Sequence, residues 1–190
     1  MDNKLPVLTT SRLILREISD NDYLDMFEYA KIPYVGPAAG WQPHKSVAET
    51  KAVIKMFQGK RKYGQLGVFA IVLKSTNKMI GTIELHTYTM KHKAELGYTL
   101  SPSFWGQGLV VEAAKKIIAW GFDTLGLKRI ECTTFTNNLQ SQRVCEKLGL
   151  VYEGLKRKGY LLYDGSIGDL FCYSIIDDEF YERIRHGKWW

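Results

Sequence analysis

Apolar and polar residues first alternate at Leu13 and Leu15, set among Arg12, Arg16 and Glu17, with Ile18 at the margin. A period of two predicts a strand near residues 12–18. Ser19 then stands where a helix cap belongs, with Asp20 and Asp22 in the first turn. The helix it opens is expected to bury Leu24, Phe27 and Tyr23. Residues 31–45 hold Pro33, Gly36, Pro37, Gly40 and Pro43 and predict a loop, which carries Tyr34, Trp41 and His44. Ser46 and Glu49 form a capping-box pattern, so a second helix is predicted to about Lys60. Residues 66–74 are rich in Val, Ile and Phe and read as a strand. Ser75-Thr-Asn-Lys78 turns it into another strand over residues 79–88.

Glu95, Gly97 and Thr99 alternate with Leu96, Tyr98 and Leu100, a third strand after the polar link Met90-Lys-His-Lys93. Three strands on short links are expected to run antiparallel. Beyond Trp105-Gly106-Gln107-Gly108, the residues Leu109, Val110, Ala113, Ile117 and Trp120 recur at helical spacing. They predict a long helix to about Leu125, ended by Gly126. Residues 128–135 read as a strand parallel to residues 94–100, because a helix joins the two. Asn137-Asn138 starts a helix over residues 139–148, and Gly149 ends it. Residues 152–163 and 167–176 are strands around Asp164-Gly165, a hairpin signal. The order β-α-α-β-β-β-α-β-α-β-β predicts an α/β fold on one mixed sheet (an α+β arrangement). No repeat or linker divides residues 1–190, so a single domain is expected.

Composition narrows the class. The chain has 190 residues, 45% hydrophobic and 24% charged, ordinary for a globular protein. No apolar run approaches the roughly 20 residues of a membrane helix, and no signal-peptide apolar region opens the chain. A cytoplasmic location without membrane contact is expected. Cys132, Cys145 and Cys172 are odd in number and widely spaced, which argues against a disulfide framework or a zinc site. His44, His86, His92 and His186 form no metal-ligand pattern, so no metal is expected. The net charge of +6, with clusters at residues 60–62 and 156–158, reads mainly as solvated surface. The functional reading is an acidic partner: a nucleotide cofactor, a ribosome surface or another nucleic acid.

The turn at residues 105–108 carries the clearest chemistry. Glycines between a strand and a helix let the backbone approach a ligand, and the helix start offers unpaired N–H groups at a positive dipole end. Together they suit phosphate or pyrophosphate. A Walker loop is absent. A dinucleotide fingerprint fails because Val111 occupies the third glycine position and too few βαβ units follow. The Gly-x-Ser-x-Gly elbow of serine hydrolases is also absent.

Three blocks occur together: Ala94-Glu-Leu-Gly-Tyr-Thr-Leu-Ser-Pro, Trp105-Gly-Gln-Gly-Leu-Val-Val-Glu-Ala and Asn138-Leu-Gln-Ser-Gln-Arg-Val-Cys-Glu-Lys-Leu-Gly149. With Thr10-Ser-Arg-Leu-Ile-Leu-Arg16, the chain resembles the GNAT superfamily of acetyl-CoA-dependent N-acetyltransferases over residues 10–177. Within it, the chain is most similar to the ribosomal-protein N-terminal acetyltransferases (RimJ/RimL-like). The resemblance implies that the strand before the turn splays from the next one and that acetyl-CoA lies in the gap. Backbone around Thr99 and Leu100 would hold the pantetheine arm and the thioester oxygen. Residues Trp105, Gly106, Gln107, Gly108, Leu109 and Val110 would hold the pyrophosphate. Val110 departs from the pattern, which has Ala or Gly there. Gly97 is compatible with a bulge or a close approach.

The resemblance also implies site roles. Glu95 falls where a carboxylate general base is found, with Glu84 on the preceding strand as the alternative. Glu95 has a plain reading as a solvent-facing strand residue. Asn138 matches a cofactor-contacting asparagine. Ser141 matches a serine that protonates the leaving thiolate; its plain role is helix capping. A tyrosine acid common in the family is replaced by Cys145. Trp41, His44 and Tyr163 are candidates for the acceptor-pocket wall, or simple packing. The expected activity is acetyl transfer to a primary amine, with a protein N-terminal α-amine leading. The alternatives are a small amine (antibiotic or polyamine), a non-catalytic CoA-binding scaffold and a basic nucleic-acid binder. Docking on a ribosome and assembly as a homodimer are left open.

Overall fold

A computed structural model describes residues 5–190. Its eight strands, numbered along the chain, form one sheet in which spatial order follows sequence order except that the last two are exchanged. The predicted first strand is β2, Leu13–Glu17, and a two-residue strand β1, Leu8–Thr9, pairs with it. Helices α1, Tyr23–Ala30, and α2, Val47–Gly59, follow. Strand β3, Val68–Leu73, lies beside β2 and shows why its sequence is an unbroken apolar run. Phe69 and Ile71 join the main core, whereas Val68, Ala70 and Val72 pack beneath α1 and α2. A strand covered on both faces has no polar side to alternate with.

The buried face of α1 differs from the expected one. Met26, Tyr29 and Ala30 are buried, while Leu24 is 60% exposed. A 3-10 turn over Asp20–Asp22 precedes the helix and resets which positions face inward. Asp22 anchors that turn. Its carboxylate, 4% exposed, accepts both Arg16 Nη1 (2.8 Å) and Nη2 (2.7 Å), and also the Ser19 N–H (2.7 Å). Burial alone would raise its pKa; the bonds from Arg16 and Ser19 more than offset this, and the net shift is downward. A depressed carboxylate stabilises the fold above its unfolded pKa, and that contribution is lost as pH falls through the folded value. Asp22→Ala is expected to cost about 3 kcal/mol in urea unfolding at pH 7, since it strands a partly buried Arg16. The gap from the wild type should begin to shrink below about pH 4, where the unfolded chain takes up the proton first, and close as pH falls through the lower folded value.

Strands β4, Lys78–Thr89, and β5, Lys93–Leu100, continue the predicted antiparallel meander. Helix α3, Leu109–Asp123, then crosses to β6, Arg129–Phe135, which pairs parallel to β5. Its buried residues Leu109, Val110, Ala113, Ala114, Ile117 and Ile118 press on the sheet face carrying Leu13, Leu15, Ile83 and Leu85. Helix α4, Leu139–Lys147, leads into the hairpin of β7, Val151–Leu161, and β8, Ile167–Ile176. A final helix α5, Asp177–Arg185, lies beyond the predicted elements. Its signature was nonetheless present, with three acids in the first turn and two arginines in the last. Phe180 stacks on Phe122, centroids 4.9 Å apart. Arg183 donates to the carbonyls of Leu148 (3.0 Å) and Gly149 (2.6 Å), fixing the end of α4. Among the described residues, no helix is long and apolar enough to cross a membrane.

Candidate active site

Strands β5 and β6 pair only at Lys93–Arg129, Ala94–Ile130 and Glu95–Glu131, and then diverge. Residues 96–100 keep β4 on one side and have no strand on the other. Unpaired backbone groups inside a protein call for a partner, and an extended ligand can supply one as an added strand would. A cavity of about 480 Å³ fills the divergence, between residues 95–100 on one side and 132–135 on the other. The side chain of Thr99 is already used, 2.9 Å from Thr82 Oγ1, so only its backbone is free for a ligand.

One end of the cavity meets the glycine turn. Gly106 has φ +76° and Gly108 φ +74°, a region that side chains disfavour. A Cβ at Gly106 would meet nothing within 4 Å, and at Gly108 only Arg12 Nη2 at 3.9 Å, so the space beside both is open. Helix α3 closes its first bond from the Glu112 N–H to the Gly108 carbonyl. The N–H groups of Leu109, Val110 and Val111 therefore have no helical acceptor. Val110 is only 9% exposed and packs into the main core, which accommodates its extra bulk. The Trp105 indole N–H donates to the Leu100 carbonyl (2.8 Å), fastening the turn to the end of β5.

A brace behind the turn was not anticipated. Arg12 donates to Glu112 (2.6 Å) and to the Gln107 carbonyl (3.0 Å). Glu112 also accepts from the Thr10 and Ser11 hydroxyls and the Arg12 N–H. Burial pushes its pKa up, but the bonds from Thr10, Arg12 and Ser11 prevail and lower it. An acid in the first turn of α3 is thus matched by donors rather than left facing the ligand space. Gln107 itself does not line the cavity; its carbonyl is turned to Arg12.

Helix α4 supplies the opposite wall. The Asn138 side-chain Oδ1 accepts the Ser141 N–H (3.1 Å), and its Nδ2 donates to the Ala38 carbonyl (3.0 Å). Asn138, not Ser141, is therefore the cap, and it also ties the 31–45 loop to the helix. The Ser141 hydroxyl lies 2.8 Å from that of Tyr98. Cys145 is buried in the core. Arg143 and Lys147, one turn apart on α4, line the cavity and have no acidic partner among the described residues. Their four-residue spacing was the available signal.

On the other sheet face, carboxylates are sorted by their partners. Glu84 is held by Lys60 at 2.6 Å. Glu131 is held by Lys93 (3.3 Å) and Arg129 (2.8 Å), and Glu153 by Arg129. Glu95 accepts from the Thr133 hydroxyl at 2.5 Å and has no ion-pair partner among the described residues. It lines the cavity; Glu84 does not. Gly97 sits in unbroken register opposite Glu84, so it marks no bulge. The close approach there is the His86 ring, which an added Cβ would meet at 3.0 Å.

The loop aromatics fall outside the cavity. His44 is buried with Nδ1 2.8 Å from Thr50 Oγ1, and its ring lies 5.2 Å from that of Trp41. Burial lowers its pKa. Trp41 packs over Gly36 against the second core cluster. Tyr163 is exposed in the hairpin turn. The wall is formed instead by Tyr160, edge-on to Phe135 at 5.3 Å, with its hydroxyl over Gly40. Sequence reading missed Tyr160, because strand register alone selects it over Tyr163.

A splayed parallel strand pair meets a left-handed glycine turn at a helix start, which suits an extended ligand carrying a pyrophosphate. The chain belongs to the GNAT acetyltransferase family: residues 12–151 match the Acetyltransferase (GNAT) domain. The uncharacterized N-acetyltransferase YoaA of Bacillus subtilis is 34% identical over 172 residues, 90% of this chain and 97% of its own. The [ribosomal protein uS5]-alanine N-acetyltransferase of Escherichia coli is 27% identical, across 85% of this chain and 86% of its own. The solved structure of RimL, a ribosomal L7/L12 α-N-protein acetyltransferase in complex with coenzyme A, shares the fold. Its TM-score is 0.79 at 20% identity, over 92% of this chain and 99% of that one. The protein is an N-acetyltransferase enzyme.

Proposed function

We propose that the enzyme takes acetyl from acetyl-CoA and delivers it to a protein N-terminal α-amine, in the manner of the RimJ/RimL branch. Support for the donor comes from the free backbone edge of β5 and the open N–H groups of Leu109, Val110 and Val111. These match a pantetheine arm and a pyrophosphate. Arg143 and Lys147 offer charge for a further phosphate. A backbone N–H near Thr99 and Leu100 faces the thioester oxygen and stabilises its developing charge. Glu95, directly or through water, accepts the amine proton. Ser141 donates a hydrogen bond to the departing sulfur.

The observation that carries the acceptor class is charge compensation. Glu84, Glu131 and Glu153 are each paired with a cation, which leaves Glu95 as the lone free carboxylate among them. A polyamine, with several positive charges, asks for several unpaired acids. A single α-amine of pKa about 8 asks for one modest base. The named activities of the uS5-alanine transferase and RimL agree with this reading. In a free-thiol assay with acetyl-CoA, short peptides with open N-termini should exceed spermidine and aminoglycosides by about tenfold or more in kcat/KM. Peptides blocked at the N-terminus should give no turnover. Faster turnover of a small amine would overturn the peptide assignment.

A further inference from the structure

Tyr98 and Ser141 come from distant parts of the chain and meet hydroxyl to hydroxyl at 2.8 Å. Tyr98 belongs to the stretch of β5 that has no β6 partner, and Ser141 to the first turn of α4. Both line the cavity, as does Cys132. The pair has a preferred direction. A partly buried phenol that fails to donate loses a hydrogen bond that water would otherwise have given it. Its oxygen acceptors are Ser141 Oγ at 2.8 Å and, at the limit of reach, the Ser141 carbonyl at 3.4 Å, and the neighbouring Cys132 sulfur is a weaker one. That carbonyl also belongs to the α4 ladder, so Ser141 Oγ is the better acceptor. Burial, and then the thiols of Cys132 and Cys145, push the Tyr98 phenol well above its ordinary value, so it remains a protonated donor.

A serine oxygen that receives a donor turns its own proton elsewhere. Serines in helices commonly bond back to the carbonyl four residues earlier. Ser141 makes no such bond, and its hydroxyl partner is Tyr98. The remaining direction is the cavity. We propose that Tyr98 is a positioning residue that fixes the hydrogen-bond direction of Ser141 and aims the Ser141 proton at the sulfur leaving the acetyl group.

This rests on the reading of Ser141 as the donor to sulfur. The C–N bond forms as the C–S bond breaks. The electron pair of that bond leaves on sulfur, and the surplus amine proton departs through Glu95. Ser141 hydrogen-bonds the sulfur as its charge grows, and Tyr98 strengthens Ser141 as a donor through the same chain. Neither hydroxyl needs to ionise, and the released thiolate equilibrates with solvent.

Tyr98→Phe keeps the ring and removes the hydroxyl. It is expected to leave the melting temperature and the acetyl-CoA KM near wild type and to lower kcat about tenfold. Ser141→Ala is expected to lower kcat about a hundredfold. The double variant should be no slower than Ser141→Ala alone, because both act through one bond. With the acetyl ester of seleno-CoA, whose selenolate leaves without help, the Tyr98→Phe loss should vanish. An equal loss with both esters, or fully additive losses in the double variant, would overturn the role of Tyr98. If Ser141→Ala lowers kcat and Tyr98→Phe does not, the positioning role fails while the Ser141 assignment stands. If Ser141→Ala leaves kcat intact, the donor assignment falls and Tyr98's role falls with it.

Discussion

Gly108→Glu is expected to abolish measurable coenzyme A binding in calorimetry while the protein remains folded. Two effects combine. The backbone at Gly108 has φ +74°, which a side chain adopts at a cost of about 1–2 kcal/mol. That strain lowers the melting temperature by a few degrees and would be shared by Gly108→Ala. The space beside Gly108 is open on the protein side, with Arg12 Nη2 at 3.9 Å the nearest group, so no clash in the fold is expected. The larger effect falls on the ligand. A carboxylate at the start of α3 sits against the N–H groups of Leu109, Val110 and Val111, where a pyrophosphate would lie. Like charges that close lower affinity by about a hundredfold or more, roughly 2.7 kcal/mol. Gly108→Ala, with strain and no charge, separates the two effects. Affinity that survives Gly108→Glu would mean that the pyrophosphate binds elsewhere.

The order of elements and the mixed sheet were readable because each long element has a clear period and a turn or cap at its ends. What escaped was set by tertiary structure. Strand β1 is two residues long, too short for a pattern. The inward face of α1 depends on the Asp22–Arg16 anchor, which joins a helix start to a strand. At the site, the glycine turn and the Asn138–Ser141 spacing are local and could be read. The Arg12–Glu112 brace and the Tyr98–Ser141 pair join residues far apart in the chain, and no local pattern announces them. The loop aromatics show the limit from the other side. Trp41 and His44 looked equally suited to a pocket or to a core edge, and packing on α1 and α2 put them at the core edge.

Glu95→Gln should lower kcat about a hundredfold at pH 7 and leave the acetyl-CoA KM nearly unchanged. The amide keeps the shape and the Thr133 contact but cannot take a proton. Acetyl-CoA affinity should hold because Glu95 lies at the start of the divergence, away from the α3 N-terminus. The loss should narrow above about pH 8, where a peptide α-amine is already neutral and hydroxide can accept the remaining proton. Glu84→Gln is the contrasting variant. It breaks the 2.6 Å bridge to Lys60 and leaves a partly buried ammonium without its acid. The expected cost is stability, read in urea unfolding, with kcat close to wild type. The two variants discriminate because Glu84 and Glu95 share a sheet face yet differ in partner: a fixed cation for one, a hydroxyl for the other. Glu95 lines the cavity and Glu84 does not, so an amine in the cavity meets Glu95 first. If Glu84→Gln loses the turnover and Glu95→Gln keeps it, Lys60 must release Glu84 during the reaction and the base assignment moves to Glu84.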